Sequence, residues 1–86
     1  MNWLFGSTTS VTLVIKPTGN GTKMAGFQNG PLALTCTQGE TVQIVMDRFN
    51  TYRGPDNQIL ELWKTNNEKL PFSHVLNENI TVFFRG

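Results

Sequence analysis

Apolar positions along the chain repeat at two different spacings. Between residues 41 and 54, Val42, Val45, Met46 and Phe49 recur at i, i+3, i+4 and i+7, which sets four apolar side chains along one side of a helix. Elsewhere the period is two. Residues 11–16 (VTLVIK) place Val11, Leu13 and Ile15 on one face, residues 32–37 place Leu32, Leu34 and Cys36, and residues 80–84 (ITVFF) place Ile80, Val82 and Phe84. Residues 59–64 (ILELWK) alternate Leu60 and Leu62 inward against Ile59, Glu61 and Trp63 outward. The pattern therefore predicts strand, strand, helix, strand, strand.

The helix carries its own signals. Thr41 can cap the first amides with its hydroxyl, Glu40 favours the positive end of the helix dipole, and Gly54 followed by Pro55 is expected to give a left-handed exit and a residue that cannot continue the helix. A competing start at Thr37, with Glu40 three residues on, spells a capping box, but Gly39 in its first turn makes it the weaker start. Pro17 is expected to end the first strand. The loop over residues 17–30 is long for a hairpin, and Met24 and Phe27 are the residues expected to tack it to the body. Residues 69–71 read as a short edge segment because Pro71 lacks a donor. Residues 72–79 read as an irregular crossing in which Phe72, Val75 and Leu76 reach the core.

Taken together, the order ββαββ suits an α+β β-grasp over residues 11–86, a mixed four- to five-stranded sheet wrapped across one helix. In such a sheet the first and last strands run parallel in the centre, and VTLVIK and ITVFF are the most continuously apolar strands in the chain. Residues 1–10 read as a flexible extension in which Trp3, Leu4 and Phe5 precede a polar linker. These three either fold back onto the domain or form a docking peptide whose aromatic anchors enter a partner's groove.

Composition narrows the function. A chain of 86 residues makes one domain with a modest core, and 38% hydrophobic residues suit a folded protein. Its net charge of +1 is spread without runs, so neither nucleic acid nor an anionic membrane is an expected partner. One cysteine and one histidine cannot build a structural zinc site, and a lone thiol fits a reducing compartment. The first ten residues lack a basic region and a long apolar run, so no signal peptide or membrane insertion is expected. Asn2 in place of glycine argues against myristoylation. The expected location is cytoplasmic or nuclear.

Catalytic chemistry is not expected. Cys36 lies on the core face of a strand as a small hydrophobe, and His74 has no carboxylate or cysteine near it in sequence. Residues 16–23 (KPTGNGTK) combine glycine with lysine but lack phosphate-loop spacing and a following helix, so they read as a turn. No metal, cofactor or small-molecule substrate is expected. Binding chemistry is better represented. Trp63 is the strongest single contact candidate, with Ile59 and Glu61 beside it and with Phe83 and Tyr52 as weaker candidates of the same kind. The alternative for Trp63 is to cover the outer face of the sheet against Ile59 or the N-terminal aromatics.

Residues 32–36, then Thr41, Val42, Val45, Phe49 and Gly54, resemble the second strand, capped helix and closing glycine of ubiquitin and its relatives. Pro55, Asp56 and Gln58 are similar to that family's bend before strand three; Leu70 and Leu76 fit its later buried positions, and residues 82–86 its last strand ending in arginine and glycine. The resemblance implies a β-grasp without catalysis that works as an adaptor or as a subunit of a larger assembly. Its alternative implication is a covalent modifier joined through Gly86. This chain departs from the family in carrying Glu61 where ubiquitin shows an isoleucine on strand three, in its longer loop over residues 17–30, and in lacking a Gly-Gly ending.

Overall fold

The computed structural model describes residues 9–24, 26–65 and 67–85. Strands β1 (Ser10–Thr18), β2 (Leu32–Thr37), β3 (Leu62–Thr65), β4 (Glu68–Leu70) and β5 (Ile80–Arg85) form one mixed sheet in the order β2-β1-β5-β3-β4. Helix α1 (Val42–Thr51) follows β2. The first and last strands lie side by side in parallel, from Leu13 opposite Ile80 to Thr18 opposite Arg85, while β1 meets β2 and β5 meets β3 in antiparallel register.

One side of the sheet and the apolar stripe of α1 make the core. Val11, Leu13 and Ile15 of β1, Leu62, Leu70, Val82 and Phe84 of the other strands, and Val42, Val45 and Met46 of the helix are buried in a single cluster. Phe49, the last residue of the expected stripe, packs against that cluster while partly exposed.

Pro17 does not end β1. Pairing with β2 stops at Ile15 opposite Leu32, whereas pairing with β5 continues through Pro17 and Thr18. From residue 16 onward β1 is thus an edge on its β2 side, where a residue without an N–H is tolerated. The long connection to β2 starts with a short 3₁₀ turn (Gly19–Lys23) and is anchored by Phe27, which is buried and stacked on Phe84 with ring centroids 5.5 Å apart. Met24 packs partly buried against the same core. Both residues act as the sequence predicts.

The helix begins where Thr41 was expected to cap it, with the Thr41 hydroxyl accepting the Ile44 N–H at 3.3 Å. Its two preceding amides go elsewhere. Val42 donates to the His74 carbonyl at 3.0 Å and Gln43 to the Phe72 carbonyl at 2.8 Å, so the crossing segment satisfies donors that a helix start leaves open. Glu40 donates back to the Thr37 carbonyl at 3.1 Å and accepts the Thr37 N–H on its carboxylate at 2.9 Å. Gly39 sits at φ +95°, the left-handed value a tight turn needs at its third position. The capping-box residues therefore close a turn ahead of the helix.

Two expectations about facing fail. Ile59 is 0% exposed and Leu60 is 71% exposed, the reverse of the alternation read from residues 59–64. Strand β3 starts only at Leu62, and residues 59–61 lie outside it. The Asn50 side chain holds the Ile59 backbone instead: its amide donates to the Ile59 carbonyl and its oxygen accepts the Ile59 N–H, each at 2.9 Å. A period of two has no force outside a ladder. Val75, expected in the core, is exposed at 42% because its backbone bridges Thr41 at the helix start while Leu76 takes the buried place.

Candidate functional site

Each strand of the central sheet sends alternate residues away from the helix. Because Ile15, Val82, Leu62 and Leu70 point to the core, their neighbours Lys16, Phe83, Trp63 and Lys69 take the opposite face. The register then lines these four up. Lys16 stands opposite Phe83, Phe83 opposite Trp63, and Trp63 opposite Lys69, a row that crosses β1, β5, β3 and β4. Two half-buried aromatic side chains thus sit side by side on an outer face, flanked by lysines.

Electrostatics ties the row together. The Arg85 guanidinium lies 3.7 Å from the centre of the Trp63 ring, within cation–π range, and the Lys69 ammonium lies 5.8 Å from it. Lys69 also pairs with the Glu61 carboxylate at 2.7 Å. Of the expected sheet contacts, Glu61 and Trp63 are brought together on this face. Ile59 is excluded from it because its side chain is fully buried. Trp3, Leu4 and Phe5, and the expected attachment residue Gly86, lie outside the described residues.

Beyond Arg85 the face leads into a cleft of about 410 Å³ lined by Met24, Gln58, Leu60, Glu61, Phe84 and Arg85. Leu60 stands at this cleft largely in water. The sequence signal for it was misleading, since alternation placed Leu60 in the core. Lys16 and Lys69 carried a usable signal, each being adjacent to a core residue, but only the strand order shows that they flank the same aromatic pair. Tyr52, 93% exposed, follows the last turn of α1, outside the sheet.

Other polar groups have structural employment. Burial, then the nearby Glu40 carboxylate, pushes the Cys36 thiol above its ordinary range, which disfavours the thiolate that nucleophilic or metal chemistry needs. Arg48 grips Glu40 with two guanidinium nitrogens. Among the described residues no group of three or more His, Cys, Asp or Glu is gathered in a way that could hold a metal ion. No helix among them is long and apolar enough to cross a membrane.

No protein-family model matches the chain, and no curated protein matches it.

Proposed function

We propose that this chain is a ubiquitin-like β-grasp protein that binds other proteins through the outer face of its sheet, as an adaptor or as a subunit of a larger assembly, without catalysis. The fold part of the reading is supported by the strand order, with β1 and β5 parallel in the centre and α1 following β2. The binding part rests on one observation: Trp63 and Phe83 are paired on the face turned away from the helix. Aromatic residues in that setting contribute strongly to protein interfaces. A buried free thiol at Cys36 fits a reducing compartment, the cytoplasm or the nucleus.

The test is capture of partners by tagged protein, comparing wild type with Trp63→Ala. Because Trp63 is only half-buried, the substitution should leave the circular dichroism spectrum native-like while reducing captured partners by about tenfold. Undiminished capture would sink the proposal. Loss of the folded spectrum would assign Trp63 to the fold instead. Running a Gly86-deleted protein beside these on denaturing gels separates the second reading, since covalent adducts that depend on Gly86 would make the chain a modifier.

A further inference from the structure

We infer that the free edge of β2 pairs with the same edge of a second copy of this chain, antiparallel about Leu34, so that two sheets join into one. The sheet ends on β2 at one side and on β4 at the other. These two edges are not alike. β4 is three residues long and carries Glu68 and Lys69, with Pro71 just beyond it, all of which discourage strand addition. β2 is six residues long (LALTCT) and has neither a charge nor a proline. An edge of that kind is open to another strand.

The hydrogen bonds determine which groups it offers. Gln38 donates to the Thr9 carbonyl at 2.8 Å, which makes Thr9 and Gln38 a bonded pair in the register that sets Val11 opposite Cys36 and Leu13 opposite Leu34. Bonded and non-bonded pairs alternate along an antiparallel ladder, so Leu32, Leu34 and Cys36 turn their backbone groups to β1, while Ala33, Thr35 and Thr37 turn theirs outward. Thr37 is already occupied: Glu40 accepts its N–H on the carboxylate at 2.9 Å and donates to its carbonyl at 3.1 Å. Pro31, at the other end, has no N–H. Ala33 and Thr35 remain, both exposed, and among the described residues nothing bonds their outward groups.

This window is its own complement. With Leu34 opposite the second copy's Leu34, Ala33 stands opposite Thr35 in both directions, and every open N–H meets an open carbonyl. Centring the pair on Ala33 instead would set Thr35 against Pro31, which has no N–H for its carbonyl; centring it on Thr35 would set Ala33 against the occupied Thr37. The side chains agree with the first register. On the helix side a cleft of about 210 Å³ is lined by Leu34, Thr35, Val45, Arg48 and Phe49, and the pairing lays the second copy's Leu34 against it. Leu34 and Phe49 are only partly buried within one copy and would gain cover. Arg48, the one charge in that lining, is gripped by Glu40, so like meets like without two free charges facing each other. A foreign strand could take the same bonds, but an edge without free charge offers nothing to select it, whereas the copy brings the matching window and the leucine with it. The two-fold axis stands perpendicular to the sheet, so both Trp63 faces turn to the same side and a dimer would engage a repeated partner at two points.

Sedimentation equilibrium of the whole purified chain from about 10 µM to about 1 mM tests this, with backbone amide exchange followed by NMR at both ends of the range. The expected result is a monomer passing to a dimer, with the Ala33 and Thr35 amides exchanging about tenfold more slowly at the upper concentration. Thr35→Pro removes the outward N–H from each copy and no bond to β1, and should weaken dimerisation about tenfold. Ala33→Lys, which sets a guarding charge on an exposed position, should act likewise and serves if circular dichroism shows the proline variant unfolded. Trp63→Ala should leave the association unchanged, so the inference and the sheet-face reading can fail separately. A monomer throughout would overturn the inference and leave the edge to a foreign strand. A dimer whose Ala33 and Thr35 amides still exchange freely, or one indifferent to the edge variants, would overturn it too. Association lost on Trp63→Ala and kept in the edge variants would move the contact to the sheet face and end it equally.

Discussion

Glu40 shows how much one side chain can organise. Its carboxylate accepts two guanidinium bonds from Arg48 and the Thr37 N–H, and these partners, the arginine first, hold its pKa below the ordinary value of 4.5. A carboxylate depressed in the folded state adds stability that is present above its unfolded pKa and is lost as pH falls through the folded one. Urea unfolding followed from neutral to acid pH should therefore show wild type losing stability below about pH 4.5, where the unfolded chain begins to take up the proton first. Glu40→Gln should flatten part of that loss. Equal slopes in the two proteins would remove Glu40 from the account. Asn50 does a comparable job on the other side of the helix. Asn50→Ala leaves the part-buried Ile59 N–H and carbonyl without their side-chain partners, and should cost about 1–3 kcal/mol in urea unfolding.

At the scale of elements, the connections carry more than their irregular appearance in the sequence implies. The 13 residues between β1 and β2 hold Phe27, whose ring is stacked on Phe84 inside the core. Phe27→Ala should therefore destabilise the protein by about 3–5 kcal/mol, a core-sized loss from a loop residue, readable as a lower thermal midpoint. A loss of only a few tenths would show that the loop is not part of the core. The crossing from β4 to β5 is used in a different way. Its carbonyls at Phe72 and His74 accept the first helix amides, and Leu76 exchanges bonds with Gly39 and Glu40. The helix start is consequently filled by backbone, and its dipole end is not left open to a ligand.

For the molecule as a whole, the helix and the buried side of the sheet share one apolar cluster, and Cys36 reports on it. The thiol is 3% exposed and burial raises its pKa, so both access and thiolate are suppressed in the folded state. Ellman's reagent should leave native protein almost unmodified and label it fully in denaturant. Rapid labelling under native conditions would place β2 among the easily opened parts of the fold. The opposite side of the sheet has a different character. There the aromatic pair and its cations face solvent, which is the arrangement that makes it the candidate for partners.

Much of this was legible from local pattern. The helix stripe, the Thr41 cap and the inward faces of β1, β2 and β5 follow from periodicity and end signals, because a residue's direction within a regular element is set by its spacing alone, whereas the parallel central pair was expected only from the sheet that the element order suits. Pattern reasoning failed where backbone bonds run outside the ladders. Ile59 and Leu60 exchanged roles because Asn50, nine residues earlier, fixes the backbone ahead of β3, and β1 outran Pro17 because β5 continues alongside it after β2 has stopped. Glu61 and Trp63 could be named from the sequence as outward residues. Their company could not. Lys16, Trp63, Lys69 and Phe83 come from four strands, and only the order and register of those strands decide which side chains meet across a sheet. Sequence determined the faces of the elements; the tertiary structure decided which faces became neighbours, since a pairing between distant strands is settled by the folding of the whole chain and leaves no periodic trace in any one segment.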